Sequence, residues 1–273
     1  MANDSSYLAP SVFLNHGGGP YPVMGQKNNL DIAKSLREVK NYVNLNLLKA
    51  IIVVTAHWEE DIVSISSGEN PDLLFDYYNF PPETYKYKYG GRGDPVLARK
   101  IFDALSKEGI DCRLDDKRGW DHGVFVPMML VRPEADIPIV QVSILKNQDA
   151  KQHYEYGKIL GQFRKDGVAI FGSGLSYHNM KRFREVDTAE ELEIENQEFD
   201  DFLNKVCTGD EQTRERLISW KTAPGGLQAH PESHADHLMP LVVVAGAGGP
   251  VKGRKVFESA FYNRFRLSGF SWE

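Results

Sequence analysis

Short, mostly apolar runs recur along this chain. They alternate with stretches in which apolar residues return every three or four positions. Ser11–Leu14, Ala50–Thr55, Ile137–Ile144 and Val168–Phe171 are the clearest runs. They are short and rich in β-branched residues, so they predict buried strands. Between them lie helical patterns. Asp94 and Pro95 form a start signal, because Asp caps free backbone N–H groups and Pro suits the first helical position. Val96, Leu97, Ile101, Phe102 and Leu105 follow at helical spacing. Asp149–Arg164 predicts a second helix. Glu190–Val206 predicts a third, heavily charged but with Phe199, Phe202, Leu203 and Val206 on one face, the pattern of a solvated amphipathic helix. Lys255–Tyr262 and Phe265–Phe270 predict a final strand pair. Alternating strands and helices imply an α/β layered fold with a largely parallel or mixed sheet; the expectation is a single domain over residues 1–273, with a central, mostly mixed β-sheet flanked by helices.

Composition narrows the function classes. The chain has 273 residues, 41% hydrophobic and 26% charged, which suits one large folded domain and not a disordered chain. The net charge is −6 and no basic cluster stands out, so neither nucleic acid nor an anionic membrane is an expected partner. Cys112 and Cys207 are the only cysteines, which argues against a disulfide framework or a cysteine zinc site. Apolar stretches such as Leu241–Gly249 fall well short of the roughly 20 residues of a membrane span. Met1–Pro10 carries no signal-peptide core, so a cytoplasmic protein is expected.

The chemistry lies in eight histidines. Histidine is the commonest metal ligand and the usual general base near neutral pH. His16, His57 and His178 each follow a predicted strand, and in open α/β sheets ligands bind beyond the carboxyl ends of strands. His16 precedes three glycines, which reads as a metal ligand on a strand-end loop or as a tight turn; Gly-x-Gly-x-x-Gly and the P-loop lysine are both missing. His57 reads as a ligand or as a buried structural histidine. His178 follows Gly172-Ser173-Gly174, which lacks the Gly-x-Ser-x-Gly of a nucleophile elbow, so His178 reads as a general acid/base. In Asp121-His122-Gly123 the carboxylate is a candidate to orient the imidazole. If a helix starts near Ser233, His234 and His237 face one side of it. His237, with Asp236, then marks the site edge, His234 is the rival ligand, and His230 is a weaker one. His153, beside Tyr154 and Tyr156, reads as structural. Tyr85, Tyr87 and Tyr89 alternate, either at a pocket mouth or as one face of a strand.

Several segments together resemble the class III extradiol ring-cleavage dioxygenases, in particular the DOPA 4,5-dioxygenase-like branch. They are Phe13-Leu14-Asn15-His16-Gly17, Thr55-Ala56-His57-Trp58, Phe80-Pro81-Pro82-Glu83-Thr84-Tyr85, Trp120-Asp121-His122-Gly123, Gly172-Ser173-Gly174-Leu175-Ser176-Tyr177-His178-Asn179 and His237-Leu238-Met239-Pro240-Leu241. They fall in the family's order and span most of the chain. The resemblance implies a mononuclear metal held by His16, His57 and His237, the last standing where protocatechuate-cleaving relatives carry glutamate. It implies His178 as catalytic acid/base and His122 close to oxygen and substrate. The implied reaction inserts both atoms of O2 into a catechol-type ring to give a muconic semialdehyde-type product. Fe(II) is the metal expected for that catalysis, and zinc suits the same imidazole set. Two other classes compete: a zinc-dependent hydrolase using metal-activated water, and a non-catalytic protein with a closed four-ligand metal site.

Overall fold

The computed structural model describes residues 7–184, 189–261 and 264–273. Its strands form one mixed sheet: β1 (Ser11–Asn15), β2 (Ala50–Glu60), β3 (Val63–Ser66), β4 (Cys112–Asp115), β5 (Ile139–Leu145), β6 (Val168–Gly174), β7 (Arg254–Phe261) and β8 (Phe265–Trp272). The spatial order is β4-β3-β5-β2-β6-β1-β8-β7. The four predicted apolar runs become its centre, where β5, β2, β6 and β1 lie parallel. Every residue of β1, β5 and β6 is buried, as expected of parallel strands covered on both faces. The predicted C-terminal pair closes one edge, with β8 antiparallel to β1 and β7 antiparallel to β8.

The longer helices are α1 (Leu30–Glu38), α2 (Pro95–Lys107), α3 (His122–Val131), α4 (Ala150–Gly161), α5 (Ala189–Cys207) and α6 (Met239–Ala247). The three predicted helices appear as α2, α4 and α5. Asp94 caps α2 by accepting from the Leu97 amide, and Asp149 caps α4 by accepting from the Gln152 amide. Successive strand side chains point to opposite faces of the sheet. In β6, Gly172 stands against Pro240 of α6, while Ser173 donates to the Gly123 carbonyl of α3. Helices α3 and α6 therefore cover opposite faces.

The buried Arg164 anchors the far end of the sheet. Its Nε donates to the Ala9 carbonyl (2.6 Å), Nη1 to those of Ala247 (2.9 Å) and Gly248 (2.7 Å), and Nη2 to that of Trp272 (2.6 Å). One side chain thus ties the entry to β1, the end of α6 and the end of β8.

The structure corrects several expectations. Strand β2 continues through His57 to Glu60, and its register against β5 shifts between Thr55 and Glu59. His57 therefore sits at an irregularity inside a strand. No helix starts near Ser233, whose φ is +63°; α6 begins at Met239, so His234 and His237 share no helix face. Tyr85 lies in a 3-10 turn over Pro82–Lys86, and the alternating tyrosines form no strand. Tyr262, the expected last residue of its strand, lies outside the described residues. Among the described residues, no helix is long and apolar enough to cross a membrane.

Candidate active site

The carboxyl ends of β1 and β6 and the irregular part of β2 bring distant histidines together. His16 leaves β1 with its amide donating to the Gly174 carbonyl (3.0 Å). His122 is the first residue of α3. His237 stands two residues before α6, and its carbonyl accepts from the Leu175 amide (3.1 Å) just past β6. His178 follows the same strand and donates its amide to the Ala229 carbonyl (3.1 Å). Nε2 of His16 and Nε2 of His57 lie 3.1 Å apart. Ring nitrogens of His16, His57 and His122 fall within 4.8 Å of one another. The His237 ring centre is 5.1 Å from that of His16 and 4.9 Å from that of His57. His178 stacks on His237 with centroids 3.6 Å apart.

Hydrogen bonds fix which ring nitrogens carry protons. Ser173 has one hydroxyl proton and donates it to the Gly123 carbonyl. At 3.0 Å from His16, its oxygen must therefore accept from Nδ1–H, leaving the lone pair on Nε2. His122 donates Nδ1–H to Asp76 Oδ1 (2.8 Å), and His237 donates Nδ1–H to Asp236 Oδ2 (2.7 Å). Such partners fix tautomer and ring orientation in metal-binding histidines.

Residues 118–123 tie these groups together. Asp121 accepts from Thr55 Oγ1 (2.8 Å), Gln141 Nε2 (2.9 Å) and Arg118 Nη2 (3.2 Å). Thr55 Oγ1 in turn accepts from the His57 amide (3.2 Å), and Arg118 also donates to the His57 carbonyl (3.1 Å). Asp121 thus holds the backbone around His57 and does not orient His122. Gly123 is needed here because a Cβ would meet Thr55 Oγ1 at 2.5 Å and His57 Cδ2 at 3.1 Å. No sequence pattern marks Asp76, Gln141 or Arg118 as site residues, and Thr55 stands out only as part of the Thr55-Ala56-His57-Trp58 segment. Ser173 stands out only through its glycine neighbours, and its buried hydroxyl serves His16.

The remaining histidines lie apart from this cluster or support it from behind. His153 is buried, accepts from the Leu145 amide through Nε2 (2.9 Å) and donates Nδ1–H to the Asp149 carbonyl (2.7 Å). His230 is buried with Nε2 donating to the Ser176 carbonyl (3.0 Å). His234 is exposed, with Nδ1 bonded to the Glu232 carbonyl (3.1 Å). Of the tyrosines, Tyr89 donates to the Arg132 carbonyl (3.1 Å). Phe75, Tyr77, Phe80 and Tyr85 cluster on the His122 side, with the Tyr77 ring 5.9 Å from that of His122.

The electrostatics favour neutral, metal-ready imidazoles. Burial drives His16, His57 and His237 well below the ordinary histidine pKa, and repulsion among neighbouring imidazoles adds to it. Burial also lowers His178, opposed by the Asp236 charge. Burial works to raise Asp76, but its hydrogen bond with His122 and the nearby His122 and His57 outweigh that and hold it below the usual carboxylate range.

A family model described as the catalytic LigB subunit of aromatic ring-opening dioxygenase matches residues 10–265. The chain belongs to that family. Among the relatives of this LigB-family chain, dioxygenase tasH of Hapsidospora irregularis is 41% identical over 255 residues, spanning 88% of this chain and 78% of that protein. The 4,5-DOPA dioxygenase extradiol of Beta vulgaris is 34% identical over 244 residues, spanning 89% and 88%. The protein of that name from Escherichia coli K12 is 29% identical, spanning 89% and 86%. In fold, the chain matches a crystal structure of an uncharacterised E. coli K12 protein with a TM-score of 0.74 and 24% identity, over 97% of this chain and 100% of the other. The LigB family depends on a non-haem metal, and the residues present suit one. The imidazoles of His16, His57 and His237, held neutral by burial, offer lone pairs that a transition metal takes, and two of them give Nδ1–H to a partner, His16 to the Ser173 hydroxyl and His237 to Asp236.

Proposed function

We propose that this protein is an extradiol dioxygenase that inserts both atoms of O2 into a catechol-type ring beside the diol. His16, His57 and His237 are its metal ligands, with Fe(II) the working ion. The observation that carries this reading is the convergence of the imidazoles of His16, His57 and His237 where β1, β2 and β6 meet, with the tautomers of His16 and His237 set by Ser173 and Asp236, in a chain of the ring-opening dioxygenase family. A redox-active metal supplies the electron relay that triplet dioxygen needs to react with a closed-shell catechol.

The protein's own groups do the proton work. His178 accepts a catechol hydroxyl proton, a transfer suited to an imidazole near neutral pH, and returns it as the ring opens. His122, its Nδ1–H committed to Asp76, meets the substrate oxygen through Nε2. The Phe75–Tyr77–Phe80 cluster lines the His122 side and keeps water from it. DOPA heads the candidate substrates because relatives carry that name.

The test is oxygen uptake by the Fe(II)-loaded protein across DOPA, caffeate, protocatechuate and catechol. A yellow ring-opened product formed with stoichiometric oxygen consumption is expected. No uptake with any catechol counts against the reading, and turnover without oxygen would mark metal-assisted hydrolysis instead.

A further inference from the structure

We propose that Asp76 is a positioning residue that sets the tautomer and the orientation of His122. Its effect on turnover rests on the functional reading above, whereas the tautomer lock stands on geometry alone. Asp76 lies between β3 and α2, 46 residues before His122. Two backbone bonds bring it there. The Leu74 amide donates to the Trp120 carbonyl (2.7 Å), and the Trp120 amide donates to the Asp72 carbonyl (2.9 Å). The next side chain, Tyr77, is buried and donates to the Thr84 carbonyl (2.6 Å), which anchors the segment from the other side.

So placed, a single carboxylate oxygen grips His122 twice. Oδ1 accepts from the His122 backbone amide (2.9 Å) and from Nδ1–H of its ring (2.8 Å). The amide fixes where the residue starts and the ring bond fixes where it points. The imidazole cannot rotate without giving up a bond. An ionised carboxylate only accepts, so Nδ1 must carry the proton and Nε2 is left for chemistry. The other oxygen, Oδ2, stands 3.9 Å from His57 Nδ1, and the His57 and His122 rings are 3.9 Å apart between centroids. Asp121, the sequence neighbour of His122, cannot substitute, because its oxygens are taken by Thr55, Gln141 and Arg118.

The test begins with long-range 1H–15N spectra of the full-length, metal-free chain carrying 15N-histidine, with His122 assigned by its loss in His122→Gln. The wild type should show His122 protonated on Nδ1; a wild type unprotonated there overturns the proposal, whether or not any variant folds. Asp76→Ala should release the lock, and an unchanged His122 pattern in that variant also overturns it. In the Fe(II)-loaded enzyme, Asp76→Ala should lower kcat by about 10–100-fold with KM and metal content little changed. Loss of bound metal in proportion to lost activity would assign Asp76 to the metal ligands and not to His122, overturning it as well. If the wild type itself turns over no catechol, the functional reading fails, and the spectra still decide the lock.

Discussion

His178 lies flat against His237, with ring centroids 3.6 Å apart and planes inclined by 22°. The stack puts the proposed proton carrier in contact with a proposed metal ligand. His237 is held through Nδ1–H by Asp236. The two residues should therefore fail differently when removed. His178→Ala should retain its iron and lose about 10²–10⁴-fold in kcat, the usual worth of a positioned acid/base. His178→Phe, which keeps an aromatic ring in the stack but cannot carry a proton, should lose as much. His237→Ala should lose the iron itself. Metal analysis beside oxygen uptake separates the cases, and undiminished turnover in His178→Phe would remove His178 from the proton path.

Ser173 should matter to metal binding although it touches no metal. Its hydroxyl is the acceptor that keeps the His16 proton on Nδ1. In Ser173→Ala the buried Nδ1–H loses its partner, and the ring is free to move its proton to Nε2. Metal affinity should then fall by about 10–100-fold, as when other outer partners of ligating histidines are removed. Competition titration with a chromophoric chelator reads this directly. Affinity equal to the wild type would mean that His16 needs no orienting partner.

These two residues also mark how far the site is legible in the sequence. His16 and His178 stand out because each follows an apolar strand, and strand ends in α/β sheets gather ligands. The task of Ser173 depends on β1 and β6 pairing so that Leu14 lies opposite Ser173, a register no local pattern encodes. Asp76 is less visible still, since it sits in a segment without helix or strand, 46 residues from the imidazole it holds. The fold shows the same division. Amphipathic α2 and α5 declare themselves by their period. Helix α6 is buried at all of its positions, and α3 at nearly all, so neither has a polar face to set a period. Strands β3 and β4, four residues each, are too short to leave a pattern. The apolar run ends at Ala56, so the sequence pattern predicts His57 just past a strand. The backbone nonetheless continues in extended form through the register shift.

His153 gives the protein a pH-dependent stability distinct from the chemistry of the site. Burial lowers its pKa to about 4, against the hydrogen bond to the Asp149 carbonyl and the Asp149 charge, which both act to raise it. Its Nε2 already accepts the Leu145 amide, so a second ring proton would face a donor. The unfolded chain takes up a proton near the ordinary value of about 6.5. Between those two values the unfolded state therefore binds a proton that the folded state refuses. The stabilisation is complete above the unfolded value and is lost as pH falls through this window, levelling off below about pH 4. Between pH 7 and pH 5 the loss due to this one group is about 2 kcal/mol. His230, lowered to about 3 by burial, adds a loss of the same sign and leaves a residual slope in any single variant. His153→Gln cannot titrate, and its amide oxygen can still accept from Leu145. Urea unfolding of the two proteins at pH 7 and pH 5 should show the variant less stable at pH 7 but losing about 2 kcal/mol less on acidification. Equal losses in the two proteins would show that His153 takes up its proton in the folded state as readily as in the unfolded chain.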